Sequence, residues 1–256
     1  LPTTIVSIEA VPLDLPLRRP FGIAGGVQAS AANVLVSVAL ADGTRGLGEA
    51  APLPAYDGLT QGMVLAAFDA ARDGIAGHDV RDWRSPGCRI AHGPARAAVE
   101  MAMLDALARH EGRALWREFG GAAADLVTDM TVALGGTLDD SEREAAAIAA
   151  EGFRTLKLKV GSPAGVADDL ARIDAVTRAA PGLGLILDGN AGLSRSAATD
   201  LLRGLRGRGI RPALLEQWLP AADLEGMRAL GEESGCAVAA DEAVRCAADV
   251  TRVAAA

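Results

Sequence analysis

Two lysines are the residues of this sequence best suited to transfer a proton. The chain has 25 basic residues, but its only lysines are Lys157 and Lys159, which share one short apolar stretch. Arginine keeps its proton at working pH, whereas lysine can lose it when burial or a neighbouring charge lowers its pKa. A coding bias against lysine explains the scarcity but not the pairing. We therefore expect the pair to act in proton transfer, with a structural role as the alternative.

Three acids follow the lysines, and their chemistry suits a metal site. The steps from Lys159 to Asp188, then to Glu216 and then to Asp241 are 29, 28 and 25 residues. Three carboxylates that converge favour a hard, oxygen-seeking cation, so we expect Mg²⁺, with Mn²⁺ as an alternative. A single acid at a strand end often only caps a helix, but three in register favour a metal site. Polar residues that could orient these ligands, or simply begin loops, are Asn190, Gln217 and Glu242.

The residues that could do chemistry lie in a region of alternating strands and helices. From about residue 128, short apolar runs alternate with amphipathic stretches, which predicts βαβ units and a parallel sheet. Without a dinucleotide glycine fingerprint, the pattern favours a (β/α) barrel of TIM type, whose active site lies at the C-terminal strand ends. Strand alternation places both lysines on one face. The predicted strands are 129–134, 155–160, 184–188, 212–216 and 236–240; the predicted helices are 139–151, 165–180, 195–208 and 222–234, followed by one more helical segment.

The front of the chain has a different pattern. Strands enriched in β-branched residues and two helical stretches predict a small α+β domain. We expect this domain to span residues 1–121 and the barrel domain to span 122–256. The predicted strands are 3–15, 33–41 and 46–50, and the predicted helices are 60–76 and 94–110.

The motifs together resemble those of a known family. In order, Lys-x-Lys, Asp-x-Asn, Glu-Gln and Asp-Glu resemble the muconate-lactonizing group of the enolase superfamily, and the spacing is most like that of its dipeptide epimerases. The segments at 48–52 and 93–102 resemble the capping domain of that family. The resemblance implies an α+β capping domain followed by a TIM-type barrel, here truncated after about five barrel strands.

The resemblance also implies a mechanism. Mg²⁺ held by Asp188, Glu216 and Asp241 would bind a substrate carboxylate, and Lys159 would take the proton from the adjacent carbon to give an enediolate. Lys157 would lower the pKa of Lys159 and help to hold the carboxylate. The implied activity is a racemase or epimerase acting on a dipeptide or amino-acid derivative. The alternatives are a cycloisomerase or syn-dehydratase, of muconate cycloisomerase or o-succinylbenzoate synthase type, and a non-catalytic remnant that binds metal or self-associates.

Two further expectations depend on the resemblance. A loop between the first two strands, at 20–26, would close over the substrate as a lid through Phe21, Gly22 and Ile23, with Tyr56 at the same mouth; an ordinary surface loop is the alternative. The family usually carries another lysine on the sixth barrel strand, which would fall beyond residue 256. We therefore expect the sequence to be a fragment of a longer enzyme.

Composition limits the possible partners. The formal net charge of −8 argues against a nucleic-acid partner, and no apolar run has membrane-spanning length. Three widely spaced cysteines form no disulfide framework, which favours a reduced, cytoplasmic compartment. We expect a small-molecule carboxylate substrate and a homo-oligomer.

Overall fold

The protein divides into two compact units. The computed structural model describes residues 1–23, 26–85, 90–122 and 125–256, without the side chains of residues 19, 21–23, 26, 27, 55 and 57. The first unit comprises Leu1–Pro20 and Val27–Asp125, and the second is built mainly from Leu126–Ala256.

The first unit is a three-stranded sheet with helices packed on it. The sheet order is β1-β2-β3, and β2 and β3 pair in antiparallel register from Val34↔Ala50 to Ala39↔Arg45. Alternate residues of β3 are buried, which gives the sheet one apolar face for the core. The elements are β1 (Ile5–Ile23), β2 (Gly26–Leu40), β3 (Arg45–Ala50), α1 (Pro54–Asp57), α2 (Gln61–Asp69) and α3 (Gly93–His110).

Close packing of β3 on α3 explains two glycines. A Cβ atom at Gly46 would lie 2.2 Å from the carbonyl oxygen of Ala102, and one at Gly48 would lie 2.0 Å from that of Ala98. Both distances are far inside van der Waals contact, so only glycine lets the backbones of strand and helix approach this closely.

A polar cluster fixes the start of the chain. Thr3 Oγ1 donates to Asp79 Oδ2 at 2.8 Å, and the Arg81 guanidinium donates to Thr3 Oγ1 at 2.9 Å. Burial alone would raise the pKa of Asp79, but the hydrogen bonds from the Arg81 backbone N–H and the Thr3 hydroxyl outweigh it, so the pKa lies below its ordinary value.

The predicted loop at 20–26 was wrong for the backbone that the structure describes there. Strand β1 continues to Ile23 and β2 begins at Gly26, so residues 20–23 and 26 lie in strands. Pro20 is compatible with this arrangement because β1 lies at the edge of the sheet, where a missing N–H breaks no ladder. Proline and glycine were therefore misleading as loop signals.

The second unit confirms the predicted βαβ alternation. Its five described strands are all parallel and follow the order β4-β5-β6-β7-β8. The strands are β4 (Met130–Val132), β5 (Thr155–Lys159), β6 (Gly184–Asp188), β7 (Leu214–Glu216) and β8 (Ala237–Ala239). The helices are α4 (Leu138–Ala150), α5 (Val166–Ala179), α6 (Arg195–Gly207), α7 (Leu224–Ser234) and α8 (Ala247–Ala255).

Apolar side chains between strands and helices form the core of the second unit. Leu156 and Leu158 of β5 pack with Leu187, Leu215 and apolar residues of the surrounding helices. Strand β7 is shorter than predicted, beginning at Leu214 rather than 212. Among the described residues, no helix is long and apolar enough to cross a membrane.

Candidate active site

The strand register brings the predicted lysine and two of the acids into one row. Lys159 pairs with Asp188, Asp188 pairs with Glu216, and Glu216 pairs with Ala239. All lie at the C-terminal ends of their strands, and adjacent strands in a sheet are about 4.8 Å apart. Asp241 follows two residues beyond Ala239. The fold thus places these residues where barrel enzymes carry their chemistry.

The two lysines bind the two carboxylates directly. Lys159 Nζ lies 2.6 Å from Asp188 Oδ2, and Lys157 Nζ lies 2.8 Å from the same oxygen. Lys157 Nζ also donates to Glu216 Oε1 at 2.6 Å. Two ammonium groups and two carboxylates therefore form one connected cluster.

Burial makes it costly to keep the groups of this cluster charged unless they are paired. Asp188 is 0% exposed and Lys159 is 6% exposed. Burial raises the pKa of Asp188, but hydrogen bonds from Lys157 and Lys159 outweigh this effect and hold it below the ordinary value. Burial likewise lowers the pKa of Lys157, but its bonds to Asp188 and Glu216 raise it overall. The charges of Asp188 and Lys157 are thus stabilised chiefly by their partners.

The turn after β6 is held by Asn190. Its backbone N–H donates to Asp188 Oδ1 at 2.9 Å, and its side-chain amide donates to Glu242 Oε1 at 3.2 Å. Asn190 has φ 42° and Ala191 has φ 58°, both in the left-handed region that such residues rarely adopt. A Cβ at Gly189 would lie 2.7 Å from Trp218 Cα, so the turn packs tightly on the chain after β7.

Glu242 accepts a hydrogen bond from Asn190 through one oxygen of its carboxyl group. The residue is buried, and its Oε2 has no hydrogen-bond partner among the described residues. Burial raises the pKa of Glu242, and the charges of Asp241 and Asp188 add to this increase against the hydrogen bond from Asn190.

Gln217 connects the ends of β7 and β8. It is 0% exposed and has φ 36°. Its Oε1 accepts the backbone N–H groups of Asp241 at 2.8 Å and Ala243 at 3.1 Å. Its Nε2 donates to Leu219 O at 3.0 Å and also contacts Met227 Sδ at 3.1 Å. Gln217 thereby fixes the backbone that carries Asp241.

Sequence reasoning missed two buried residues of opposite charge on α5, Asp169 and Arg172. Both face the ends of β4 and β5, and Arg172 donates to the carbonyl of Lys159. The available signal was the presence of two charged residues on the same helical face as Ile173 and Val176. Charged residues on a core-facing stripe are rare unless they are paired or bind backbone groups.

Asp241, the third predicted metal ligand, does not join the cluster of Asp188 and Glu216. Asp241 is exposed, and among the described residues no three Asp, Glu, His or Cys side chains stand close enough to hold a metal ion as they are. In the cluster itself, the lysine ammonium groups bind Asp188 and Glu216. The donor chemistry still fits a hard divalent cation, since the row offers carboxylate oxygens at adjacent strand ends. The three-carboxylate site remains a prediction.

The structure describes only part of the predicted lid. The side chains of Phe21, Gly22 and Ile23 lie outside the described residues, so their role stays a prediction. Tyr56 belongs to α1 of the first unit and is 39% exposed.

Comparison with known protein families matches both parts of the chain. Residues 5–120 match the N-terminal domain of mandelate racemase / muconate lactonizing enzyme, and residues 140–256 match the enolase C-terminal domain-like family. An aromatic dipeptide epimerase from Herpetosiphon aurantiacus is 46% identical over 259 residues, covering 99% of this chain and 72% of that protein. The chain belongs to the enolase superfamily. Within it, the sequence is most like the dipeptide epimerases, as the resemblance implied.

Other relatives of this enolase-superfamily chain are also isomerases. An L-Ala-D/L-Glu epimerase from Thermotoga maritima is 34% identical, covering 97% of this chain and 72% of that protein. Muconate cycloisomerase 1-2 from Acinetobacter lwoffii is 32% identical, covering 100% of this chain and 68% of that protein.

Solved structures agree with the fold. A mandelate racemase/muconate lactonizing protein from Herpetosiphon aurantiacus has a TM-score of 0.91 at 45% identity, covering 100% of this chain and 72% of that chain. A dipeptide epimerase from Enterococcus faecalis, complexed with Mg and L-Leu-L-Tyr, has a TM-score of 0.89 at 25% identity, covering 98% of this chain and 71% of that chain. The predicted fold class, a capping domain and a partial barrel of enolase-superfamily kind, is confirmed.

Proposed function

We propose that this chain carries the site of a Mg²⁺-dependent epimerase, which removes the proton next to a carboxylate of a dipeptide. The observation that supports it best is the cluster at the ends of β5, β6 and β7. There two lysines, the only ones in the sequence, contact two carboxylates in one row. A lysine can serve as a general base only if its amine is free, and this arrangement gives it a carboxylate partner that it can leave.

Lys159 is the proposed base. Its ammonium is more deeply buried than that of Lys157 and contacts only one carboxylate, Asp188, among the ion pairs of the described cluster. A base with one ion pair to break is released more easily than one with two. Lys157 bridges Asp188 and Glu216, and its persistent charge would attract the substrate carboxylate and oppose protonation of Lys159.

Asp188, Glu216 and Asp241 are the proposed holders of the metal ion. Mg²⁺ bound there would supply positive charge for the substrate carboxylate and for the charge that develops on it as the proton leaves. The carboxylates would then no longer need the lysines as counter-charges. Asn190, Glu242 and Gln217 would keep the ligand-bearing turns in place, since Asn190 binds Asp188 and Gln217 binds the backbone of Asp241.

A dipeptide is the proposed substrate class, and an aromatic dipeptide is the first to test. This proposal is supported by 46% identity to an aromatic dipeptide epimerase over nearly the whole of this chain. A second candidate, cycloisomerisation of a dicarboxylate, is supported by 32% identity to a muconate cycloisomerase. Both reactions would use a lysine on the face where Lys157 and Lys159 lie.

The test is proton exchange on candidate substrates in D₂O. The chain is incubated with L,L-dipeptides bearing aromatic, aliphatic or acidic second residues, and with cis,cis-muconate, in the presence of Mg²⁺, Mn²⁺ or EDTA. Deuterium entering an α-carbon of a dipeptide, with loss of the signal in EDTA, supports the epimerase. Lactone formation from muconate without dipeptide exchange supports the cycloisomerase instead. Mg²⁺ binding with neither reaction indicates a protein that binds metal without catalysis.

A further inference from the structure

Helix α5 holds the backbone on which Lys159 stands. The ladder between β4 and β5 ends at the pair Val132↔Leu158, one residue before Lys159. Beyond that pair, the backbone groups of β4 and β5 need another hydrogen-bond partner. Arg172 supplies it, because its Nη1 donates to the carbonyl of Lys159 at 2.9 Å and its Nη2 donates to that of Ala133 at 2.7 Å. One guanidinium thus spans the gap between the two strand ends.

Asp169 holds the next part of the same chain. Its carboxylate accepts the backbone N–H of Gly161 at 3.0 Å and that of Ser162 at 3.1 Å. Gly161 has φ 92°, so the chain turns sharply there, directly after the strand. Asp169 and Arg172 stand three residues apart on α5, one helical turn, and therefore face the same strand end.

The opposite side of the strand end is held by β6. The N–H of Val160 donates to Asp188 O at 2.8 Å, and Lys159 Nζ contacts the Asp188 carboxylate. The backbone of Lys159 is therefore fixed from β6 on one side and from α5 on the other.

Burial distinguishes Asp169 and Arg172 from ordinary surface charges. Asp169 is 1% exposed and Arg172 is 5% exposed. Buried charges are costly, and apolar residues of similar volume often stabilise a fold as well or better. Because the hydrogen bonds of Asp169 and Arg172 go to backbone groups at the ends of β4 and β5, the presence of these two charges requires another explanation.

We propose that Arg172 and Asp169 are positioning residues that set the direction of the Lys159 side chain; this inference rests on the proposed role of Lys159 as the base. Neither residue touches the reacting atoms. They act through the backbone at residues 159–162, where a small rotation of the strand end would swing the amine away from its place.

The test compares Arg172→Gln with Arg178→Gln. Arg178 lies on the same helix, is exposed and pairs with Glu142 of α4, so its variant removes a guanidinium without affecting β5. We expect Arg172→Gln to lower kcat about 10- to 100-fold, since misplacement by about 1 Å can cost that much. KM should stay within about threefold, because the substrate-binding groups remain. Arg178→Gln should match the wild type in both.

The two lysines allow a second readout that needs no catalysis. In protein labelled with ¹⁵N at lysine Nζ, the sequence gives two side-chain signals, and Lys157→Met assigns them. In Arg172→Gln the Lys159 signal should shift or broaden markedly, with a smaller change for Lys157. Unchanged lysine signals and wild-type kcat in a folded Arg172→Gln would overturn the proposal. So would a loss of thermal stability alone, or an equal effect of Arg178→Gln.

Arg172→Lys keeps the proposal testable if the glutamine variant does not fold. A lysine retains the charge beside Asp169 but reaches one carbonyl rather than two. An intermediate kcat with unchanged KM supports positioning, and a wild-type kcat contradicts it. If the wild type exchanges no α-proton, the proposed function fails; the lysine signals then still decide whether α5 directs Lys159.

Discussion

Replacing Gln217 with methionine should destabilise the second unit and weaken the site. Methionine has nearly the same length and shape, so the change removes hydrogen bonds with little loss of volume. The N–H of Ala243 and the carbonyl of Leu219 would lose their partners in buried surroundings. Each unsatisfied buried group costs about 1–3 kcal/mol. The N–H of Asp241 is more accessible to water and adds less.

These contributions predict that Gln217→Met lowers the free energy of unfolding by about 2–5 kcal/mol. A protein of this size loses about 2–4 °C in Tm for each kcal/mol, which gives a decrease of about 4–20 °C. Because domains are typically stable by about 5–15 kcal/mol, the variant should still fold. Its affinity for Mg²⁺ should fall about 10- to 100-fold, since the backbone that carries Asp241 loses its anchor.

Thermal and urea unfolding followed by circular dichroism measure the stability, and amide hydrogen exchange reports on Asp241 and Ala243 individually. Gln28→Met is the control, because the amide of Gln28 donates to Ser30 O at an exposed position. That variant should stay within about 0.5 kcal/mol of the wild type. The reasoning is refuted if Gln217→Met unfolds like the control and the Ala243 amide keeps its protection.

The remaining predictions concern packing and pH. Gly48→Ala should destabilise the first unit by more than about 3 kcal/mol, because the new Cβ meets helix backbone. Gly62→Ala is the control: it has open space around it and should be neutral or stabilise the protein by up to about 1 kcal/mol. Urea unfolding compares the two variants. Trp218→Phe should cost about 1–3 kcal/mol, since the carbonyl of Leu187 loses the indole N–H, and an unchanged Tm contradicts this. Asp79→Asn should cost about 0.5–1 kcal/mol at pH 7. The folded-state pKa of Asp79 is lowered, so its contribution exists above the unfolded-state pKa and disappears as pH falls through the folded-state value. Unfolding at pH 7 and pH 2.5 checks this, and a difference that persists at low pH counts against it.

The sequence predicted the barrel elements because their signals are local. Alternation placed Lys157 and Lys159 on one side of β5 and Leu156 and Leu158 in the core, and the structure has this arrangement. Predicted strand ends differed by a few residues, as in β7, which begins at Leu214 rather than 212.

Features that depend on contacts distant in sequence could not be predicted in the same way. Arg172 bonds to a carbonyl 39 residues earlier, and nothing in the local pattern around it indicates that partner. The strand positions 20–23 and 26 were missed because proline and glycine usually mark loops, whereas the position of β1 at the sheet edge makes them tolerable. The pairing of the lysines with Asp188 and Glu216 likewise depends on the parallel register, which brings residues about 29 positions apart into one row.

The measurement that tests the central claim most directly is α-proton exchange by Lys159→Met beside the wild type. Both proteins are incubated with an aromatic L,L-dipeptide and Mg²⁺ in D₂O, and the loss of the α-proton signal is followed by NMR while calorimetry measures Mg²⁺ binding. Our account predicts exchange by the wild type, a loss of about 10²- to 10⁴-fold in the variant, as expected for removal of a general base, and little change in Mg²⁺ affinity. Exchange at the wild-type rate in Lys159→Met would contradict the account, because the proton would then be leaving to another group.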